Sequence, residues 1–280
     1  MCELLGMCFA KPITCDVTIG AFARRDVENF DGWGLAWYPD HSISIAKEPL
    51  TWRKSRYATF LGTYGHLRSH LYIGHVRAKT RGKASHANTH PFTRELDGCD
   101  YCFAHNGTIY EAHRRLPLGR FKPVGTTDSE HMFCHLLDLI ERRPSRLEGP
   151  EDWSWLHDQL LSINSITTRS KLNCVLSDGG RLFCYHDLNG FKGLAVCEMP
   201  LVQKEHEDLD DETMHVGIDS EQDDRGTVVA TRPLNDRRGW RPFRQGEMIV
   251  IERGEVMFDQ AADEVAAEGV SGVRGNGHGG

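Results

Sequence analysis

The chain begins Met1-Cys2, and a cysteine in second place raises a chemical question. Aminopeptidases remove an initiator methionine when the next residue is small, which would leave Cys2 carrying both a thiol and a free α-amino group. A free α-amine titrates near ~7.7 to 8.0 and a free thiol near ~8.5. One residue would then hold a nucleophile and its base close to neutral pH, as covalent catalysis requires. The competing reading is an early residue of a buried strand, because Cys packs as a small hydrophobe.

Other stretches could complete such a site. In DGWG, Asp31, Gly32, Trp33 and Gly34 put two glycines around a tryptophan, where backbone must approach a neighbour closely or make a plain β-turn. GHVRAKTRGKASHANTHPF follows, with Arg77 and Thr80 after an apolar run and Asn88 and His90 in a polar loop. A guanidinium is a rigid fork of donors matched to a carboxylate, so Arg77 could grip an amino-acid head or simply face water. In FAHNGTI, the amide of Asn106 and the N–H of Gly107 could point at one developing oxyanion, although Asn-Gly is also a turn signal. Asp128 opens a helical pattern, where it would cap the helix or receive a substrate ammonium. Cys99 and Cys102 form a CxxC near His90 and His105, but no second pair stands at zinc-ligand spacing, so no metal is expected.

Elements must hold these residues. CELLGMCFA, WGLAWYPDHSISIAK with a turn at Asp40-His41, LYIGHVRA and YCFAHNGTI predict short strands. In TTDSEHMFCHLLDLIERRP, Thr127 and Glu130 stand in capping-box spacing before apolar residues at helical period. EDWSWLHDQLLSI predicts a second helix, LNCVLSDGGRLFCYH a hairpin, and TVVATRPL and EMIVIERGEVMFD late strands turning at Arg253-Gly254. The acidic stretch 203–226 is expected to be a solvated loop or disordered insertion, and the Gly-rich 261–280 a flexible tail. Strands flank a helical middle without βαβ alternation, which points to a mixed α+β domain over 2–260.

The 280 residues are 39% hydrophobic with a formal charge of −7, enough for a sizeable core. Mild acidity argues against a broad nucleic-acid or anionic-membrane surface, and no apolar run reaches the ~18 residues of a membrane span. Without an export signal a cytoplasmic home is expected, and the nine cysteines are expected to be reduced, with Cys8 and Cys15 structural.

Cys2, DGWG, HVRAKT, NTHPF, HNGTI and TTDSE, in this order and spacing, resemble the class II glutamine amidotransferases, most of all their stand-alone bacterial members. That group includes the γ-glutamyl hydrolase of ergothioneine synthesis. The resemblance runs from Cys2 to about Asp259 and implies a four-layer αββα sandwich of antiparallel sheets, the N-terminal nucleophile hydrolase fold. It implies that Cys2 is the nucleophile and its α-amine the base, with Asn106 and Gly107 as the oxyanion hole and a γ-glutamyl thioester as intermediate. Arg77, helped by Thr80, would hold the substrate carboxylate and Asp128 its ammonium. Asp31, Gly32, Trp33 and Gly34 would shape the wall, while Asn88 and His90 would support the loop. No cofactor is implied. Sugar-phosphate members carry tryptophan after the substrate arginine and histidine four beyond it; here stand Ala78 and Arg81, so the leaving group is expected to differ. Nothing offers a synthase site, so the ammonia either passes to a separate partner or the protein is a hydrolase of a small γ-glutamyl molecule.

Overall fold

The computed structural model describes residues 2–19, 30–51, 54–64, 67–78, 84–201, 206–210, 214–219, 224–234 and 239–264. In chain order come β1 (Glu3–Ile19), β2 (Phe30–Trp37), β3 (Ser44–Glu48), α1 (Arg56–Leu61) and β4 (Arg68–Ala78). A 3-10 turn at His86–Asn88 leads to β5 (Phe92–Leu96), β6 (Cys99–Thr108), α2 (Ala112–Arg115), α3 (Asp128–Glu141) and α4 (Pro150–Asn164). Then follow β7 (Lys171–Ser177), β8 (Arg181–Tyr185), β9 (Ala195–Leu201), β10 (His206–Asp210), β11 (Met214–Asp219) and β12 (Asp224–Ala230). Last are β13 (Trp240–Pro242), β14 (Met248–Glu252) and β15 (Glu255–Gln260).

The strands form two antiparallel sheets. The first runs β13-β9-β12-β1-β4-β2-β3, with the β10–β11 hairpin added against the far half of β1; the second runs β15-β14-β8-β7-β6-β5. Period-2 alternation sorts β1 between two cores. Leu4 and Cys8 face the second sheet, joined there by Ile73, Ala104, Val175 and Ile249. Leu5, Met7 and Phe9 face the other way, toward Trp33, Tyr72 and the α1 residues Ala58 and Leu61. On the far side of the second sheet, Phe103, Phe183 and Tyr185 pack against Phe133 and Leu137 of α3 and Leu156 of α4. Each such fully buried side chain contributes about 1.5–3 kcal/mol. The layers are helix, sheet, sheet, helix, as expected, with the short α1 as the described helix over the first sheet.

Local signals account for most boundaries. Thr127 is the N-cap of α3, its side chain accepting from the Glu130 N–H at 3.2 Å. Only half of the capping box forms, because the Glu130 carboxylate accepts from the N–H groups of Val124 and Gly125 and pairs with Arg94 at 2.6 Å. The 203–226 stretch corrects its sequence reading: 206–210 and 214–219 are strands, with β11 paired to β1 from Thr14↔Asp219 to Ile19↔Met214. Met214, Val216 and Ile218 alternate with His215, Gly217 and Asp219, a strand pattern hidden by the surrounding charge. Of the tail, residues 265–280 lie outside the described residues. The nine cysteines are free thiols. Among the described residues no helix is long and apolar enough to cross a membrane.

Candidate active site

Alternation and register gather the candidate residues at one open end of the gap between the sheets. Glu3 pairs with Val76, so extending β1 by one residue sets Cys2 opposite Arg77. Leu4 and Cys8 on β1, like Leu71 and Ile73 on β4, face the second sheet, which puts Cys2 and Arg77 on that same face. Across the gap, Cys102 and Ala104 of β6 face back, so Asn106 does too. The contact closes there: Asn106 Nδ2 donates to the Cys2 carbonyl at 2.8 Å. An amide nitrogen carries two hydrogens, so this bond leaves a second donor. Cys2 is partly exposed, whereas Arg77 and Asn106 are buried.

Neither Asn106-Gly107 nor DGWG is a turn. Asn106 and Gly107 lie inside β6, opposite Asn173 and Leu172 of β7. Gly107 is required there: its φ is +156°, and a Cβ would run into the Lys171 carbonyl. Gly32 and Gly34 lie in β2, paired with Arg77 and His75. Gly34 lets the His90 carbonyl and Pro91 press against the strand, a space a Cβ would fill. Trp33 points to the outer core, its ring 5.8 Å from that of Tyr57. Of Asp31 the backbone in β2 is described and the side chain is not, and Thr80 lies outside the described residues.

Asp128 is the first residue of α3 rather than its cap. Its Oδ2 accepts from the Ile109 N–H at 2.6 Å, so it clasps the chain leaving β6 two residues beyond Gly107. Asn88 is architecture: Oδ1 accepts from the Thr126 N–H at 2.8 Å and Nδ2 reaches the Thr126 hydroxyl at 3.3 Å, joining its loop to the approach of α3. His90 is buried with its ring 4.3 Å from His75 and 4.6 Å from Phe92.

Two further buried histidines belong to this neighbourhood: His75, which sequence reasoning does not single out, and His105, which it weighs only beside the CxxC. His75 shares a face with Arg77 two residues on, a placement legible in the strand alternation. Burial, reinforced by His105 and Arg77, pushes its imidazole down to about 3. His105 lies on the helix side of β6. Its Nε2 donates to the Lys171 carbonyl at 3.1 Å, which leaves Nδ1 to accept from the Ser129 hydroxyl at 2.8 Å. Burial lowers its pKa against the pull of Asp128. Lys47 donates to the Thr89 and Pro91 carbonyls at 2.8 and 3.0 Å and is pushed down to about 8, chiefly by burial.

The CxxC does not converge. Cys102 belongs to the core between the sheets and Cys99 packs against the helix-side core, opposite faces of one strand. Among the described residues no group of three metal-ligating side chains forms.

The class II glutamine amidotransferase family model matches residues 1–271. The uncharacterized protein MJ1515 of Methanocaldococcus jannaschii is 35% identical, across 92% of this chain and 71% of that protein. YafJ of Escherichia coli K12, provisionally named a glutamine amidotransferase, is 30% identical across 91% of this chain and 99% of its own. The crystal structure of a predicted glutamine amidotransferase from Pseudomonas aeruginosa PA01 matches with a TM-score of 0.74 at 29% identity, covering 91% of this chain and 99% of that one. The Bacillus subtilis glutamine phosphoribosylpyrophosphate amidotransferase shares the fold, with a TM-score of 0.54 at 15% identity over 92% of this chain and 49% of its own.

Proposed function

Because the chain belongs to the class II glutamine amidotransferases, enzymes of glutamine amide hydrolysis and ammonia transfer, we propose that it cleaves a γ-glutamyl amide through Cys2. The observation that carries this reading is the Asn106–Cys2 hydrogen bond, which joins residues 104 positions apart across the two sheets. With Met1 removed, the α-amine of Cys2 takes the thiol proton and the thiolate attacks the amide carbon. The oxyanion that forms is met by the second Asn106 N–H and by the Gly107 N–H, each such donor being worth roughly 3 kcal/mol in kcat. Collapse breaks the C–N bond, and the leaving nitrogen takes the proton held by the α-ammonium. Water then hydrolyses the γ-glutamyl thioester, returning glutamate and the thiol.

Arg77, beside Cys2 in register, would receive the substrate α-carboxylate. Asp128 would receive the α-ammonium while its other oxygen keeps the Ile109 N–H. Gly32 and Gly34 keep backbone, not side chains, next to the reacting end of β4. His75, His90 and His105, neutral by burial, add no charge to compete for the substrate head.

The test is intact-mass spectrometry before and after a diazo-ketone glutamine analogue. Loss of Met1 followed by one adduct on Cys2, absent in Cys2→Ala, is the expected result. A processed chain that takes no adduct yet hydrolyses γ-glutamyl amides would overturn the assignment of the nucleophile.

A further inference from the structure

Beside the oxyanion strand lies a feature that the chemistry above does not use. Asn106 pairs with Asn173 and Thr108 with Lys171, so Lys171 stands on the face of the second sheet that carries Asn106. It is two residues farther along, roughly 6.6 Å. Its ammonium lies over the Phe191 ring, 4.4 Å from the centroid, and that of Lys192 lies over the same ring at 5.3 Å. Two like charges thus share one aromatic platform. Among the described residues neither forms an ion pair.

The platform is built rigidly. The Phe191 N–H donates to Asp187 at 3.0 Å, and its carbonyl accepts from the Asn173 amide at 2.8 Å. Lys192 follows in the left-handed region with φ +53°, and its carbonyl accepts from His186 at 3.0 Å. Asp187 forms no ion pair with either lysine among the described residues. Fully buried, it accepts from the N–H groups of Leu172, Asn189 and Phe191 and from the Asn164 amide. Two ammonium groups beside one ring raise the local positive potential, which favours an anion there.

We propose that Lys171 and Lys192 form an anion subsite for the leaving amine, so that the favoured substrates are γ-glutamyl amides of carboxylate-bearing amines rather than glutamine. The inference rests on the reading that a γ-glutamyl amide is cleaved at Cys2. Ammonia, released from glutamine, presents no anion to such a subsite. An amino acid linked through its nitrogen carries a carboxylate only two bonds from the scissile nitrogen, and Lys171 stands on the face that carries Asn106. The same carboxylate is lost when the amino acid is replaced by its amide, which makes the subsite measurable.

The experiment compares γ-glutamylglycine with γ-glutamylglycinamide, which differ in that one carboxylate. In low salt, kcat/KM for the acid is expected to exceed that for the amide by about tenfold or more, with the ratio shrinking as ionic strength rises. The ratio should fall toward one in the Lys171→Gln, Lys192→Gln double variant and persist in Lys171→Arg. A wild-type ratio near one, or a ratio unchanged in the double variant, overturns the subsite and leaves the Cys2 assignment standing. Calorimetric binding of the two compounds to Cys2→Ala makes the same comparison without turnover, and equal affinities there also overturn it. Failure of the nucleophile assignment is registered separately, by the missing diazo-ketone adduct.

Discussion

One amide hydrogen of Asn106 is already committed to the Cys2 carbonyl, which fixes the direction of the other. Asn106→Ala is expected to lower kcat by about 10²–10³-fold with little change in KM, since the lost donor serves the transition state. Steady-state kinetics on any turned-over γ-glutamyl amide checks this; a loss confined to KM would remove Asn106 from the oxyanion hole. Arg77→Lys keeps the charge but loses the fork, and KM is expected to rise roughly tenfold while kcat holds. Gly107→Ala puts a methyl group into the Lys171 carbonyl at a strained φ. Its melting temperature is expected to fall together with activity, whereas Asn106→Ala should lose activity alone. Cys2, Arg77, Asn106 and Asp128 were legible in the sequence as chemically capable types. What a local sequence could not decide was whether Asn-Gly made a turn or a strand, because pairing with Asn173 and Leu172, more than sixty residues away, settles it.

At the scale of elements, α3 is the part that local signals specify best and the part that holds Asp128 in place. Thr127→Ala removes the cap on the Glu130 N–H, a cost of ~1 kcal/mol that should lower the melting temperature by roughly 2–4 °C. Calorimetry on the variant checks it. α4 and the β7–β8 and β14–β15 hairpins were legible for the same kind of reason: caps, periodic apolar residues and turns such as Arg253-Gly254, where both φ angles are positive. α1 escaped notice because its six residues are too short for a periodic signal. β10 and β11 are hidden in the sequence by the charge around them, although β11 needs only a neighbour such as β1 to complete its hydrogen bonds. The sandwich itself followed from the resemblance to a family, since strand lengths and turn residues do not say which strands pair.

At the scale of the molecule, burial of histidines sets the acid limit. In an unfolded chain each imidazole takes a proton near pH ~6.5. In the folded chain His75 stays neutral down to about 3, and His90 is held well below its ordinary value by burial and by His75 and His105. The unfolded state therefore binds more protons below pH ~6.5, and stability declines with falling pH by about 1.4 kcal/mol per unit for each such histidine. Denaturant unfolding at pH 7 and pH 5 should differ by more than about 2 kcal/mol, and equal midpoints would mean that these rings become charged in place. The position of β1 governs something else, the order in which the sheet can close. Leu4 N–H donates to the Thr231 hydroxyl, and the Thr231 N–H donates back to the Leu4 carbonyl, at 2.8 and 3.2 Å. A ribosome must therefore deliver some 230 residues before the first strand gains both neighbours. The strand that begins beside Cys2 is thus the first to be synthesised and among the last to be enclosed on both edges.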